Sequence, residues 1–150
     1  MKVLVQRVKA AKCMVGGKVI GQINEGLCLF VSFKKGDTLS LIKPMVKKIK
    51  HLRIFEDDHN KMNLSLNDLG LSVLSISQFT LEASTQKGHR PSFTNALNPQ
   101  DASDFYDCFN QALKDTNIPT ETGEFQSEMQ IELINDGPVT LMLERTNDND

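Results

Sequence analysis

Along this chain apolar positions alternate in the first third and recur at helical spacing in two later stretches. Lys2 to Lys9 carries Val3, Val5 and Val8, as a half-buried strand does. Gly16-Gly17 is a turn signal between Cys13-Met14-Val15 and Lys18-Val19-Ile20. Asn24-Glu25-Gly26 leads into an apolar strand from Leu27 to Phe33. After the turn at Lys35-Gly36-Asp37, Leu39, Ile42, Met45, Val46, Ile49 and Leu52 follow a helical period. Asp37 or Thr38 could cap that helix. Pro44 predicts a kink or a late start, because its ring obstructs a helix interior. Leu71 to Leu81 reads as a strand covered on both faces. Asn98 and Pro99 suit an N-cap and a first helical position. The stripe Phe105, Tyr106, Phe109, Ala112 and Leu113 behind them is core, not a cofactor box. Asn117-Ile118-Pro119 ends this helix. Two strands follow, Met129 to Ile134 and Val139 to Glu144. Strands in runs with two main helices predict an α+β fold with a mainly antiparallel sheet.

The chain has 150 residues, enough for one domain with its own core. No repeat or linker divides it, so residues 1–145 read as a single domain and 146–150 as a disordered polar tail. No apolar run is long enough for a membrane span, and no secretory signal pattern opens the chain. A cytoplasmic protein with no membrane partner is the expectation. Cys13, Cys28 and Cys108 are widely spaced, which argues for reduced, structural thiols.

Formal net charge is -2, unlike a typical nucleic-acid binder. Basic residues nevertheless cluster at Lys34 to Arg53 and at Lys87, His89 and Arg90. Each cluster fits a solvated surface or a local contact with RNA phosphates.

Candidate chemistry is scarce. A Ser-His-Asp or Cys-His system needs an oriented histidine. The chain offers only His51, His59 and His89, none in a motif that would hold its ring. There is no Gly-x-Ser-x-Gly elbow, no phosphate-binding glycine loop and no dinucleotide fingerprint. Asp57-Asp58-His59-Asn60 fails the calcium-loop pattern, so no metal or cofactor is called for. What remains is Ser77-Gln78-Phe79-Thr80 at the end of the apolar run. A fraying strand there can aim backbone N–H groups into a cleft, and two such donors make an oxyanion hole. By itself such a run is an ordinary strand edge. Asn135-Asp136-Gly137-Pro138 between two apolar stretches reads as a hairpin turn.

Taken together, these segments resemble the D-aminoacyl-tRNA deacylases. Ser77-Gln78-Phe79-Thr80-Leu81 and Asn135-Asp136-Gly137-Pro138-Val139-Thr140 match that family's two signature motifs. Gln6-Arg7-Val8, Leu52-Arg53-Ile54-Phe55, Lys61-Met62-Asn63-Leu64-Ser65, and Gly88 with Arg90-Pro91-Ser92-Phe93 follow the same family in the right order. The resemblance implies a barrel-like sheet flanked by helices, assembled as a homodimer. It implies hydrolysis of the ester joining a D-amino acid, or glycine, to the 3′-terminal adenosine of tRNA. The 2′-hydroxyl of that adenosine would help activate water. Backbone N–H groups of Phe79 and Thr80 would hold the carbonyl oxygen, and Ser77 and Gln78 complete the motif. An older reading makes Thr80 a nucleophile, but no activating partner is visible in the sequence.

The resemblance also implies a filter for chirality. Gly137-Pro138 would be cis, a form that proline permits at roughly 0.5–1 kcal/mol. It would enter the partner subunit's site and block an L side chain. Arg7 would lock this loop, while Phe125 and Met129 would line the adenosine side. The alternative for these two residues is core packing. The chain departs from the family pattern at Gln126-Ser127-Glu128, where glycine and a small residue are usual, and at His89. Two other readings stand beside this one. The animal-type relatives that clear L-alanine carry a Pro-Gln-Ala-Thr strand, which Ser77 and Phe79 do not match. A non-catalytic RNA-binding module is the other.

Overall fold

The computed structural model describes residues 1–148. Its main sheet has six strands: β1 (Lys2–Val15), β2 (Lys18–Ile23), β3 (Gly26–Ser32), β6 (Ser72–Ser77), β7 (Thr120–Thr122) and β8 (Gln130–Glu144). The order is β2-β1-β3-β6-β7, with β8 on β1. A small hairpin, β4 (Phe55–Glu56) with β5 (Met62–Leu64), stands apart. The helices are α1 (Ile42–His51), α2 (Leu66–Leu69) and α3 (Pro99–Asp115).

The sheet is mixed: antiparallel pairings make up most of it, and two parallel pairings that the expectation did not include join them. β1 is antiparallel to β2, β3 and β8. β3–β6 and β6–β7 are parallel. Each helix of useful length lies in a crossover: α1 between β3 and β6, and α3 between β6 and β7. A strand reached by a crossover returns parallel to the one before it. The sheet curls into a barrel-like form that brings β2 against β6 and β7. A Cβ on Gly21 would sit 2.8 Å from the Thr122 carbonyl oxygen.

Apolar residues on both faces of the central strands explain this layering. Val3, Val5, Leu27, Leu29, Val31 and Val73 pack towards Ile49, Phe109 and Leu113 of α1 and α3. Cys13, Cys28, Leu74 and Ile76 fill the inside of the curl. β6 is therefore covered on both faces, as its continuous apolar run predicts. The α1 helix starts late, after a 3-10 turn at Leu39–Leu41, so Pro44 falls in its first turn. Asp37 does not cap it. Its carboxylate instead pairs with the buried Met1 amine at 2.7 Å and accepts from the Lys34 amide. Asn98 caps α3, accepting from the Asp101 amide at 3.0 Å.

The closing strands also differ from expectation. Residues 130–144 form one strand that pairs with β1 on both sides of the Gly-Pro motif, so the motif is a bulge and no hairpin reverses the chain. Among the described residues, the other edge of β8 has no strand partner. Of the expected tail, residues 149 and 150 lie outside those described. Asn147 donates to the Gly36 carbonyl and accepts from Thr38. No helix is long and apolar enough to cross a membrane among the described residues.

Candidate active site

β6 delivers the first motif. Ser77 is its last residue, level with Val31 of β3. The Gln78 amide donates to the Val31 carbonyl at 2.8 Å, and the chain then tightens into a 3-10 turn, Phe79–Glu82. The strand is thus shorter than the sequence suggests, and the motif straddles a strand end and a turn. The amides of Leu81 and Ala83 bond back to Gln78 and Thr80. Those of Phe79 and Thr80 find no acceptor among the described residues, as expected at the start of a helical turn. Gln78 donates its side-chain amide to the Thr80 hydroxyl.

Beside this turn lies a cleft of about 560 Å³. Ser77, Gln78, Phe79, Phe125 and Met129 all line it. Thr80 sits next to them on the turn without lining the cleft. Phe93 meets Phe79 edge-on at 5.2 Å, and Tyr106 lies 6.1 Å from Phe125. Tyr106 is both core and cleft wall. Its hydroxyl donates to the Ser75 carbonyl at 2.7 Å, and burial holds its pKa above the usual phenol range. The walls are chiefly apolar and aromatic, with amide groups at the lip. A flat heterocyclic base fits such walls.

The second motif is built elsewhere. On β1, Gln6 pairs with Thr140 and Val8 with Asn135, so Asp136 to Val139 loop out opposite Arg7 alone. Asn135 closes the bulge: its side chain donates to the Val139 carbonyl and accepts from the Val139 amide. Buried Arg7 donates to the Asp136 carbonyl at 2.9 Å and to the Ile54 carbonyl at 2.7 Å. The Gly137–Pro138 peptide is cis, and both residues are exposed. Gly137 has φ +140, and a Cβ there would lie 2.8 Å from Val139 Cγ2 and 3.2 Å from Arg7 Nη2. Only glycine suits this position.

Within one chain the two motifs do not meet. Ser77 is level with Val31 and Val3 in the register. Arg7 lies four residues further along β1, about 13 Å away along the strand. Arg7, Gly137 and Pro138 do not line the cleft. His51, His59 and His89 are exposed and do not line it either. Among the described residues no group of three His, Cys, Asp or Glu is set to hold a metal.

Three residues with structural roles carry little signal in the sequence. Asn135 stands inside a motif, and its signal is that asparagine bonds readily to nearby backbone. Ser32 and Glu82, joined by a 2.6 Å hydrogen bond under the 79–82 turn, gave one signal only: an acidic residue next to an apolar run.

The model of the family described as D-Tyr-tRNA(Tyr) deacylase matches residues 4–144. The D-aminoacyl-tRNA deacylase of Lactobacillus helveticus (strain DPC 4571) is 46% identical over 144 residues, covering 96% of this chain and 99% of that one. The D-aminoacyl-tRNA deacylase of Saccharophagus degradans (strain 2-40) is 50% identical over 143 residues, covering 95% and 99%. Among solved structures, a c-Myc DNA unwinding element binding protein superposes with TM-score 0.92 at 39% identity, over 97% of this chain and 99% of that one. A probable eukaryotic D-amino acid tRNA deacylase gives TM-score 0.80 at 16% identity, over 95% and 97% of the two chains, a likeness of fold.

Proposed function

Because the chain belongs to the D-Tyr-tRNA(Tyr) deacylase family, we propose that it hydrolyses the ester of D-aminoacyl-tRNA and glycyl-tRNA, releasing free amino acid and tRNA. The observation that carries the mechanism is the pair of unbonded amides, Phe79 and Thr80, beside an aromatic cleft that no histidine or cysteine lines. Two backbone donors suit an ester carbonyl whose oxygen gains charge in the transition state, and they need no proton exchange. The proton relay that activates water then comes from the substrate: the 2′-hydroxyl of the terminal adenosine accepts a proton from the attacking water as it gives its own to the departing 3′-oxygen. The adenine stacks among Phe125, Met129 and Tyr106.

The second part of the proposal is a homodimer. Gly137-Pro138 is exposed and lies away from its own chain's cleft, so it can meet a substrate only in a second copy. Two features support self-association. Among the described residues β8 has one long edge without a strand partner, a ready template for another chain. Ile134 and Met142 on it are 62% and 49% exposed. In the partner's cleft the rigid Gly137-Pro138 backbone faces the α-carbon, excludes an L side chain, and passes a D side chain or a hydrogen.

The test is turnover of D-Tyr-tRNA by the purified chain, using tRNA that ends in adenosine or in 2′-deoxyadenosine and is charged at the 3′ position. The normal substrate is hydrolysed, and the deoxy substrate is slowed by about 10²-fold or more, as expected on loss of a group that relays the proton. Equal rates contradict the RNA-assisted mechanism. Binding without turnover of either leaves the non-catalytic nucleic-acid-binding reading.

A further inference from the structure

We propose that Glu82, with Lys2 and Ser32, is a positioning residue that sets where the Phe79 and Thr80 amides stand. Glu82 is the last residue of the turn that carries them. Its carboxylate is 3% exposed, yet both oxygens are engaged. Oε1 accepts from the Ser32 hydroxyl at 2.6 Å, and Oε2 from the Lys2 ammonium at 3.1 Å. Lys2 also donates to the Leu81 carbonyl at 3.3 Å. One buried carboxylate therefore ties the turn to β1 and β3 together.

The turn has little else to hold it. Phe79 is 57% exposed and Thr80 is exposed, so packing fixes neither residue firmly. Phe79 rests edge-on against Phe93, which follows the exposed loop 85–91. The firm fasteners lie on either side of the two free amides. Before them, the Gln78 amide bonds Val31. After them, Glu82 bonds Ser32, the residue next to Val31 and itself a cleft-lining residue. Both fasteners thus measure from one point on β3. A buried ion pair is weak evidence for stability, because desolvation opposes its attraction. What it supplies is a defined position. An oxyanion hole depends on position, since a displacement of about 1 Å can cost about 10²-fold in rate.

The rate arm of the test rests on the deacylase reading; the geometric arm does not. Full-length Glu82→Leu and Glu82→Gln are compared with wild type by amide NMR, by thermal unfolding, and by kcat and KM on D-Tyr-tRNA. Leucine fills the volume without either bond. Glutamine keeps an acceptor for Ser32 and loses the charge facing Lys2. In Glu82→Leu the Phe79 and Thr80 amide signals shift while those of α3 stay. Its kcat falls about 10- to 100-fold with KM little changed. Glu82→Gln moves both readouts the same way by less. A purely structural role predicts a lower melting temperature with unchanged kcat and unchanged Phe79 and Thr80 signals, and that outcome overturns the proposal. If Glu82→Leu does not fold, the same comparison is made on Glu82→Gln, and wild-type values in both readouts overturn it. If wild type hydrolyses nothing, the deacylase reading fails and the amide signals alone decide the positioning role.

Discussion

The Arg7 guanidinium bridges the Asp136 carbonyl oxygen, 2.9 Å from Nε, and the Ile54 carbonyl oxygen, 2.7 Å from Nη1. One planar group thus fixes the β8 bulge against the segment entering β4. A lysine ammonium cannot span both acceptors from one buried stem. Arg7→Lys loses at least one charge-assisted hydrogen bond, about 1.5–3 kcal/mol. The expected result is a slack Gly137-Pro138 loop. Hydrolysis of L-Tyr-tRNA rises relative to D-Tyr-tRNA, while glycyl-tRNA is still cleaved. An unchanged D-to-L ratio in a folded Arg7→Lys protein contradicts this role.

Thr80→Ala is expected to keep substantial activity. The Thr80 hydroxyl accepts from Gln78, and no histidine, lysine or carboxylate bonds it among the described residues. Its proposed contribution is the amide, which alanine retains. Complete loss of turnover with an intact fold and normal tRNA binding supports the nucleophile reading instead.

Gln126 adopts φ +60 in the turn beside the cleft. A left-handed conformation costs an L-residue roughly 1–2 kcal/mol. Glycine removes that cost, but its looser unfolded chain returns about 0.4–1 kcal/mol. Gln126→Gly is therefore expected to stabilise by up to about 1.6 kcal/mol, with Tm rising by about 2–4 °C for each kcal/mol gained. Thermal unfolding that shows destabilisation instead means the Gln126 side chain holds the turn by contacts of its own.

Three exposed cations, Lys35, Lys87 and Arg90, lie in segments that run into cleft-lining residues, and we treat them as one rim. Lys35 donates its amide to the Asn95 carbonyl, close to cleft-lining Ala96. The loop holding Lys87 and Arg90 closes at Ser84–Ser92, next to Phe93. By contrast, Lys50 reaches the Thr116 carbonyl beyond the far end of α3, about 25 Å from its N-terminus. If three phosphates of the single-stranded 3′ end are bound at the rim, log(kcat/KM) falls with log salt at a slope of about −2. Replacing the rim residues by glutamine flattens that slope. Replacing Lys43, Lys47 and Lys48 does not. The opposite pattern moves the RNA path to α1.

Much of the fold was legible because burial left a pattern. β6 begins where its two-faced apolar run predicts but ends at Ser77, four residues short of Leu81, while the Asn98-Pro99 start of α3 stands where its residues predict. Parallel pairing was not legible, since periodicity says nothing of the direction in which a strand returns. Nor was the continuity of β8. Asn135-Asp136-Gly137-Pro138 has the composition of a hairpin turn, and only its pairing with β1 on both sides makes it a bulge. The cleft-lining Ser77, Gln78, Phe79, Phe125 and Met129 came from motif and resemblance, not from local chemistry. Glu82 stayed hidden because its partners, Lys2 and Ser32, are far away in sequence.

In the proposed reaction chirality is judged by exclusion at backbone, not by a pocket for D side chains. Gly137-Pro138, held by Arg7 and Asn135, presents exposed backbone. A side-chain pocket discriminates a single methylene by only about 1–3 kcal/mol, whereas a rigid block rejects more firmly. The direct measurement is hydrolysis of Gly-, D-Tyr-, D-Asp- and L-Tyr-tRNA by one preparation of the purified protein. The expected result is cleavage of the first three and near-complete sparing of L-Tyr-tRNA. Cleavage of a single D-aminoacyl-tRNA with glycyl-tRNA spared contradicts it.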